Sequence, residues 1–480
     1  MRRRRLAAAL ALALAPGLAS TAVRPAPGGT ATVALPGEAR VGDPALAEDS
    51  ADLFLARATS APLLERDADG RLAPGVLAEV PTSDDGGRTW RLRVREGLAT
   101  AAGAPLGAAE VAAGFARLLS RSPASPHAWA ALPIAGADAV LAGRAAAADG
   151  IRVVSERELL LALALPLPEL PDLLAALPLS VRDAGPFLAA PAAARGGAPA
   201  VLRANPAAVG GRPYLDALAL RAADARTAAR LLGRSEVQLA LRPEPTGGSA
   251  GPALPALRVT IAALGHGAGV ARVRGTLASL DRAALARRFV RGAAVPLATI
   301  LPPAILANTA ALTPAAAPPD PAGARGRVRI LVRSDAVDPR AIADRLQVTL
   351  YDRGVAAAVE AVDRERFAAR LAGGDHEIAL VEVRVLGGRP ALAAAQIAFA
   401  ARGAAASRRA MAALAGLEGD DAVAAAERLA RELDLVPLVA TAPRSSAAPG
   451  LQGIAVGPEG LIDPGALWLL GERRAEAGAP

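Results

Sequence analysis

The 480-residue sequence contains no cysteine, and all 54 of its basic residues are arginine, so it has no lysine either. Without cysteine there can be no disulfide, thiolate metal site, cysteine nucleophile or acylated lipoprotein anchor. Without lysine there can be no lysine-bearing phosphate loop, kinase lysine or Schiff-base catalyst. Aromatic residues are scarce as well, with 3 Trp, 2 Tyr and 6 Phe, which argues against a platform for stacking bases or sugars. Long apolar runs are missing beyond the N-terminus. The best candidate, residues 159–181, is interrupted by Pro166, Pro168, Pro171 and Pro178 and carries Glu169 and Asp172. Net charge is +8, and Arg2, Arg3, Arg4 and Arg5 supply half of it, so the remaining chain lacks the basic footprint of a nucleic-acid partner.

What is present begins with those four arginines. They precede an Ala/Leu run at 6–15, a Pro16-Gly17 break and the small residues Ala19, Ser20 and Ala22. A charged start, a short apolar stretch and a small-residue exit form a secretory signal peptide, placed at 1–22. The expected mature protein is exported to the periplasm, soluble and not lipid-anchored. Its 52% hydrophobic content suffices for a large core, and its length suggests several structural units.

The mature chain alternates strand and helix signals. Strands are expected at 30–35, 89–94, 151–154, 159–165, 218–220 and 237–241, and helices at 108–119 and 225–232. The Pro/Gly-rich stretch 242–255 reads as a linker. After it come a strand at 258–263, one long helix at 270–290, and a β-α-β-α-β succession at 328–332, 339–353, 357–362, 364–371 and 377–383. A helix at 421–433 and a strand at 435–440 follow, so the second half reads as an α/β lobe.

Each candidate catalytic motif fails on its context. Gly247-Gly248-Ser249-Ala250-Gly251 matches the spacing of a serine-hydrolase elbow, but Pro243, Pro245, Pro252 and Pro255 deny Ser249 its strand and helix. Gly265-His266-Gly267-Ala268-Gly269 lacks the last glycine of a dinucleotide fingerprint, having Val270 there. His127, His266 and His376 lie far apart and none has a partner at i+4, so zinc hydrolysis has no support. Asp84-Asp85 and Asp420-Asp421 read as turn and helix-cap residues. No catalytic residue, cofactor or metal site is expected.

A series of short blocks does carry a functional signal. They are Asp43-Pro44, "LLERDADGRLAPGVLAE" at 63–79, "DDGGRTWRLRVREGL" at 84–98, Ala109-Glu110-Val111, Gly185-Pro186-Phe187, "VLRANPAAVGGRPYLDALALR" at 201–221, "RVRGTLASLDRAALARRFVRGAAVPLATILPP" at 272–303, 346–359 and Val436-Pro437-Leu438. Taken in order they resemble the family 5 extracellular solute-binding proteins, the peptide- and nickel-binding receptors of ABC importers. The resemblance implies an α/β fold: a two-lobe periplasmic-binding-protein clamp with mixed sheets and a hinge between lobes. The large N-terminal lobe would span 23–250 and be completed by 437–480, with a smaller α/β lobe at 251–436 and crossovers near 242–255 and 433–443. It also implies a monomeric receptor that closes on a peptide-like or other small solute and delivers it to an ABC permease in the inner membrane.

The sequence departs from the family pattern at informative places. Peptide-binding members often carry a Trp and, three residues on, an Asp that holds the ligand's free amine. The matching positions here are Val383 and Leu386, so free-amine peptides are expected to bind poorly. Glu382 and Arg384, close by, are the candidate ligand contacts, although a solvated strand face would explain both equally well. A degenerate member acting as a scaffold or co-receptor, and an exported serine hydrolase using Ser249, are the alternatives.

Overall fold

The computed structural model describes residues 25–37, 43–67, 70–100, 102–120, 124–189, 200–241, 254–266, 270–290, 293–306, 327–457 and 459–470. The proposed signal peptide, the Ser249 motif, most of the 242–255 linker and Gly267–Gly269 lie outside the described residues.

Two six-stranded sheets organise the chain. The first runs in the order Ser445–Ala447, Leu239–Leu241, Thr30–Leu35, Ala217–Ala222, Ala200–Ala204, Phe187–Ala189. Thr30–Leu35 lies parallel to both of its neighbours, and the remaining pairs are antiparallel. Helix Ser50–Thr59 packs Phe54, Leu55 and Ala58 into the core of this sheet beside Val33 and Leu218. Asp49 starts that helix by accepting the amide protons of Ala51 and Asp52.

A smaller antiparallel sheet joins the same lobe, with Glu158–Ala162 between Thr89–Arg93 and Ile151–Ser155. Period-two alternation turns Trp90, Leu92, Leu159 and Leu161 inward, where they meet Val111, Phe115 and Leu118 of helix Ala108–Leu118. The turn ahead of Thr89 is fixed as expected by Asp85, whose Oδ1 accepts the amide protons of Arg88 and Thr89. The hydroxyl of Ser83, followed by the bonds from Thr89 and Arg88, holds the Asp85 carboxyl well below its ordinary range.

The second sheet runs in the order Ala293–Pro296, Leu435–Ala442, Arg258–Leu264, Ile378–Arg384, Arg327–Arg333, Ala356–Val362. Arg327–Arg333 is parallel to both Ala356–Val362 and Ile378–Arg384. The connections run through helices Val337–Tyr351 and Arg364–Ala372, which is the expected β-α-β-α-β unit. Every residue of Arg258–Leu264 is buried. Val259, Ile261 and Ala263 enter the core on one face of the sheet, and Ala262 and Leu264 enter the core on the other. A strand covered on both faces is apolar at most positions, here all but Arg258 and Thr260.

One expected helix is really two. Residues 270–290 form Val270–Ala278 and Arg282–Phe289. Ser279 turns its hydroxyl back onto the carbonyls of Gly275 and Thr276, and Asp281 caps the next helix through the amide of Ala284. Local side-chain bonds of this kind compete with helix continuation. Two helices without a sequence signal, Pro390–Arg402 and Ala404–Leu414, meet at Gly403, whose φ of 81° is in the glycine-favouring region. Pro390–Arg402 is mostly alanine and is buried nearly all round, so no amphipathic period announces it, while Ala404–Leu414 buries only one stripe, Ala406, Ser407, Ala410, Met411 and Leu414, in which small residues predominate.

Candidate functional site between the lobes

The chain leaves the first sheet at Leu241 and enters the second at Arg258; it returns between Ala442 and Ser445. The surfaces that face each other across these passages form the candidate site. At its centre the contact is apolar. Leu386 is 2% exposed and packs with Ala47, Leu53, Ala56 and Leu177, all from the N-terminal lobe, with Leu461 against them. Helices Pro390–Arg402 and Ala404–Leu414 carry Leu392, Ala395 and Met411 into the N-terminal core that holds Trp129.

The loop behind Leu386 is held by Gln396. Its Oε1 accepts the Leu386 amide proton at 2.8 Å, and its Nε2 donates to the Arg384 carbonyl at 2.7 Å. On the opposite lobe, residues 43–49 are pinned from below. Asp43 pairs with Arg117, Ser125 donates to the Ala45 carbonyl at 2.5 Å, and His127 Nε2 donates to the Ala47 carbonyl at 2.7 Å. Burial lowers the His127 pKa, so the ring is a neutral structural donor.

Around this apolar centre lies a rim of charged contacts. Glu48 meets Arg333 at 3.4 Å and Arg364 at 3.0 Å on the C-terminal lobe. Arg258 donates to Ser50 at the start of its helix at 3.3 Å. Arg384 Nη2 donates to the carbonyls of Glu459 and Gly460 at 3.2 and 2.8 Å. Gly460 has φ of 67°, and a Cβ there would lie 3.3 Å from Arg384 Nη2 and 3.1 Å from Pro255, so this approach favours glycine. Glu459 accepts the Leu177 amide proton through Oε1. Burial pushes the Glu459 carboxyl up, against the pull of Arg57.

On the far side of Leu386, Asp172 is 8% exposed and bridges Arg66 at 2.5 Å and Arg389 at 3.0 Å. Arg389 also pairs with Glu418 at 2.6 Å. Glu169 Oε1 accepts the Gly416 amide proton, while its Oε2 is buried with no hydrogen-bond partner. These residues surround a cavity of about 220 Å³, with Pro168, Glu169 and Asp172 from one lobe and Arg389, Pro390 and Gly416–Glu418 from the other. A second cavity, of about 30 Å³, lies at the crossovers against Ser50, Phe54, Leu254, Arg384 and Pro443.

A model of the bacterial extracellular solute-binding proteins, family 5, matches residues 71–385. The chain belongs to this family. No curated protein matches it by sequence. Among solved structures, the Escherichia coli murein tripeptide-binding protein superposes with a TM-score of 0.73 at 17% identity, covering 92% of this chain and 98% of that one. An unliganded open form of a periplasmic murein tripeptide-binding protein gives 0.65 at 16% identity, with 92% and 97% covered. The Haemophilus influenzae oligopeptide-binding protein in complex with RPPGFSPFR gives 0.70 at 15% identity, with 92% and 98% covered. The two-lobe α/β fold implied by the sequence is thus the fold of this family 5 protein.

The two site residues named from sequence stand on strand Ile378–Arg384. Glu382 pairs with Arg258 at 3.2 Å, and Arg384 reaches across to the 459–460 carbonyls and lines the smaller cavity. No local motif points to Glu48, Glu169, Asp172, Arg389, Gln396 or Glu418, because their partners are brought to them by the fold and, Gln396 apart, lie 29 or more residues away in the chain. Of the other histidines, His376 is buried, and among the described residues no group of three His, Asp or Glu side chains could hold a metal ion. Among the same residues, no helix is long and apolar enough to cross a membrane.

Proposed function

We propose that this family 5 protein is exported through the signal peptide at 1–22 and captures a peptide-like solute between its two lobes in the periplasm. The closed form is then presented to an ABC permease in the inner membrane. The passages 241–258 and 442–445 act as the hinge, and the protein works as a monomer without a cofactor or a covalent step. The inter-lobe interface carries this reading. The contacts of Glu48, Ser50, Asp172, Arg384 and Leu386 each join residues of opposite lobes, so they form only when the lobes are apposed. A solute that touches both lobes shifts the open–closed equilibrium by its differential affinity for the closed form. In this reading Arg384 secures the 459–460 turn on closure, and Glu382 aims Arg258 at Ser50.

Solution scattering with and without a pool of di- to pentapeptides tests the proposal. Binding should compact the molecule. A ligand at a hundred times its Kd should add ~2.7 kcal/mol of apparent stability, seen as a rise in Tm. An unchanged radius of gyration together with an unchanged Tm across the pool would refute it.

A further inference from the structure

We infer that the outer face of helices Arg282–Phe289 and Val337–Tyr351 is a docking surface for a membrane whose headgroups are anionic phospholipids. The inference goes beyond the solute-binding reading and does not depend on it. Its first support is position. Both helices cover the face of the second sheet that Ala262 and Leu264 line, and they bury Leu285, Ala286, Ile342 and Leu346 there. Helices Pro390–Arg402 and Ala404–Leu414, which meet the N-terminal lobe, lie on the opposite face with Val259 and Ile261. The outer surface of the first pair therefore stays free while the lobes are together.

The second support is an apolar ridge. Along Val337–Tyr351 the core side is taken by Ile342, Ala343, Leu346 and Leu350, and the helical period puts Val337, Val348 and Tyr351 together on the opposite side. These three are 57%, 47% and 76% exposed. Among the aromatic residues the next most exposed, Tyr214, is at 38%. A contiguous apolar strip left in water marks a contact surface. Tyr351 stands proud of its helix instead of lining a cleft, which suits a flat and soft partner. Its ring has an apolar body and a polar tip, and the headgroup layer of a bilayer accommodates both.

The third support is the charge around the ridge. Segments 281–290 and 337–353 hold six arginines against four aspartates. Arg282 and Asp338 are buried, Asp281 caps its helix through the Ala284 amide, and Arg340 pairs with Asp344. That leaves Arg287, Arg288, Arg345 and Arg353 against Asp352. Arg345 lies 5.4 Å from the centre of the Phe289 ring and ties the two helices into one surface, while Arg353 donates to the Ser279 hydroxyl at 2.6 Å. Both guanidinium groups thus keep their charge on neutral neighbours. A basic cluster beside an apolar, aromatic ridge matches an anionic lipid surface in charge and in polarity.

The mature chain would be sedimented with phosphatidylglycerol vesicles and, separately, with phosphatidylcholine vesicles. It should bind the first at low salt, bind the second at least tenfold more weakly, and be released in ~0.5 M sodium chloride, where screening is short-ranged. An arginine at an anionic surface is worth roughly fivefold in partitioning, so Arg287→Gln together with Arg288→Gln should weaken binding about 25-fold. Tyr351→Ser should weaken it several-fold and leave its salt dependence unchanged. The same two-charge change at Arg152 and Arg234, exposed on the N-terminal lobe, should alter binding by less than about twofold. Binding that survives the exchange of Arg287 and Arg288, or that falls equally with the control pair, would overturn the assignment to this face. No binding of wild type to the anionic vesicles would overturn the inference outright and leave an acidic protein as the partner of the ridge. A peptide that compacts the molecule should leave vesicle binding unchanged, so the solute-binding reading and the membrane surface can fail separately.

Discussion

The centre and the rim of the inter-lobe interface are built on different physics. The centre, where Leu386 sits among Ala47, Leu53, Ala56 and Leu177, contributes by removing apolar surface from water and is indifferent to salt. The rim, from Glu48–Arg333 round to Asp172–Arg389, consists of ion pairs in which at least one partner is partly exposed, so their attraction is weakened by salt. An apolar centre with a polar rim is the usual anatomy of a protein interface. The contrast suggests a division of labour: the centre supplies most of the tendency to close, while the rim sets orientation and selects what is enclosed.

The largest effect should come from placing a charge at the centre. Leu386→Asp would bury a carboxylate in the apolar nest with no cation beside it. Such a group costs on the order of 4 kcal/mol unless it takes up a proton. The nest exists only when the lobes meet, so the penalty falls on closure, about a thousandfold in the closed-to-open ratio. Scattering should show an expanded molecule at neutral pH that contracts as the acid is protonated. A variant as compact as wild type at pH 8 would show that Leu386 does not lie at the centre of closure.

A smaller effect is expected at the rim. Asp172→Ala leaves Arg66 and Arg389 facing each other, and the loss of charge-assisted hydrogen bonds there is worth about 2 kcal/mol. The figure is modest because Arg66 keeps the Gly70 carbonyl and Arg389 keeps Glu418. High salt should narrow the gap between variant and wild type and leave the Leu386→Asp deficit unchanged. Equal salt sensitivity of the two deficits would abolish the distinction between centre and rim.

The same contrast explains how much of this molecule could be read from its sequence. Strand Thr30–Leu35, helix Ala108–Leu118 and the β-α-β-α-β unit that begins at Arg327 declare themselves through short-range periodicity, and they lie where that periodicity puts them. Helix Pro390–Arg402 does not, because alanine on every side has no period and its burial comes from two lobes at once; in Ala404–Leu414 the buried stripe is mostly alanine and serine, which the alanine on its exposed side conceals. The site is less legible still. Glu382 and Arg384 were reachable through the family pattern around position 386. Glu169, Asp172 and Glu418 become neighbours only after both lobes have folded and met, and a proline-flanked acid such as Glu169 looks like any loop residue until then.

The smallest effect belongs to Glu459, at the junction of the two zones: its carboxyl takes the Leu177 amide proton, and its carbonyl takes a proton from Arg384. Burial raises this carboxyl above its ordinary value, opposed by Arg57, Arg384 and Arg66. A raised carboxyl binds its proton more tightly in the folded state than in the unfolded one. Its contribution to stability is therefore fully present below the unfolded value of about 4.3 and is lost as pH rises through the folded value. Glu459→Gln keeps an acceptor for Leu177 and mimics the protonated acid. Variant and wild type should match near pH 4, and the variant should become the more stable of the two towards pH 7. Glu65, also raised by burial, adds a loss of the same sign to both proteins, so the difference between their melting curves isolates Glu459. A difference that stays constant from pH 4 to 7 would mean that Glu459 is solvated in the folded protein and belongs to the rim.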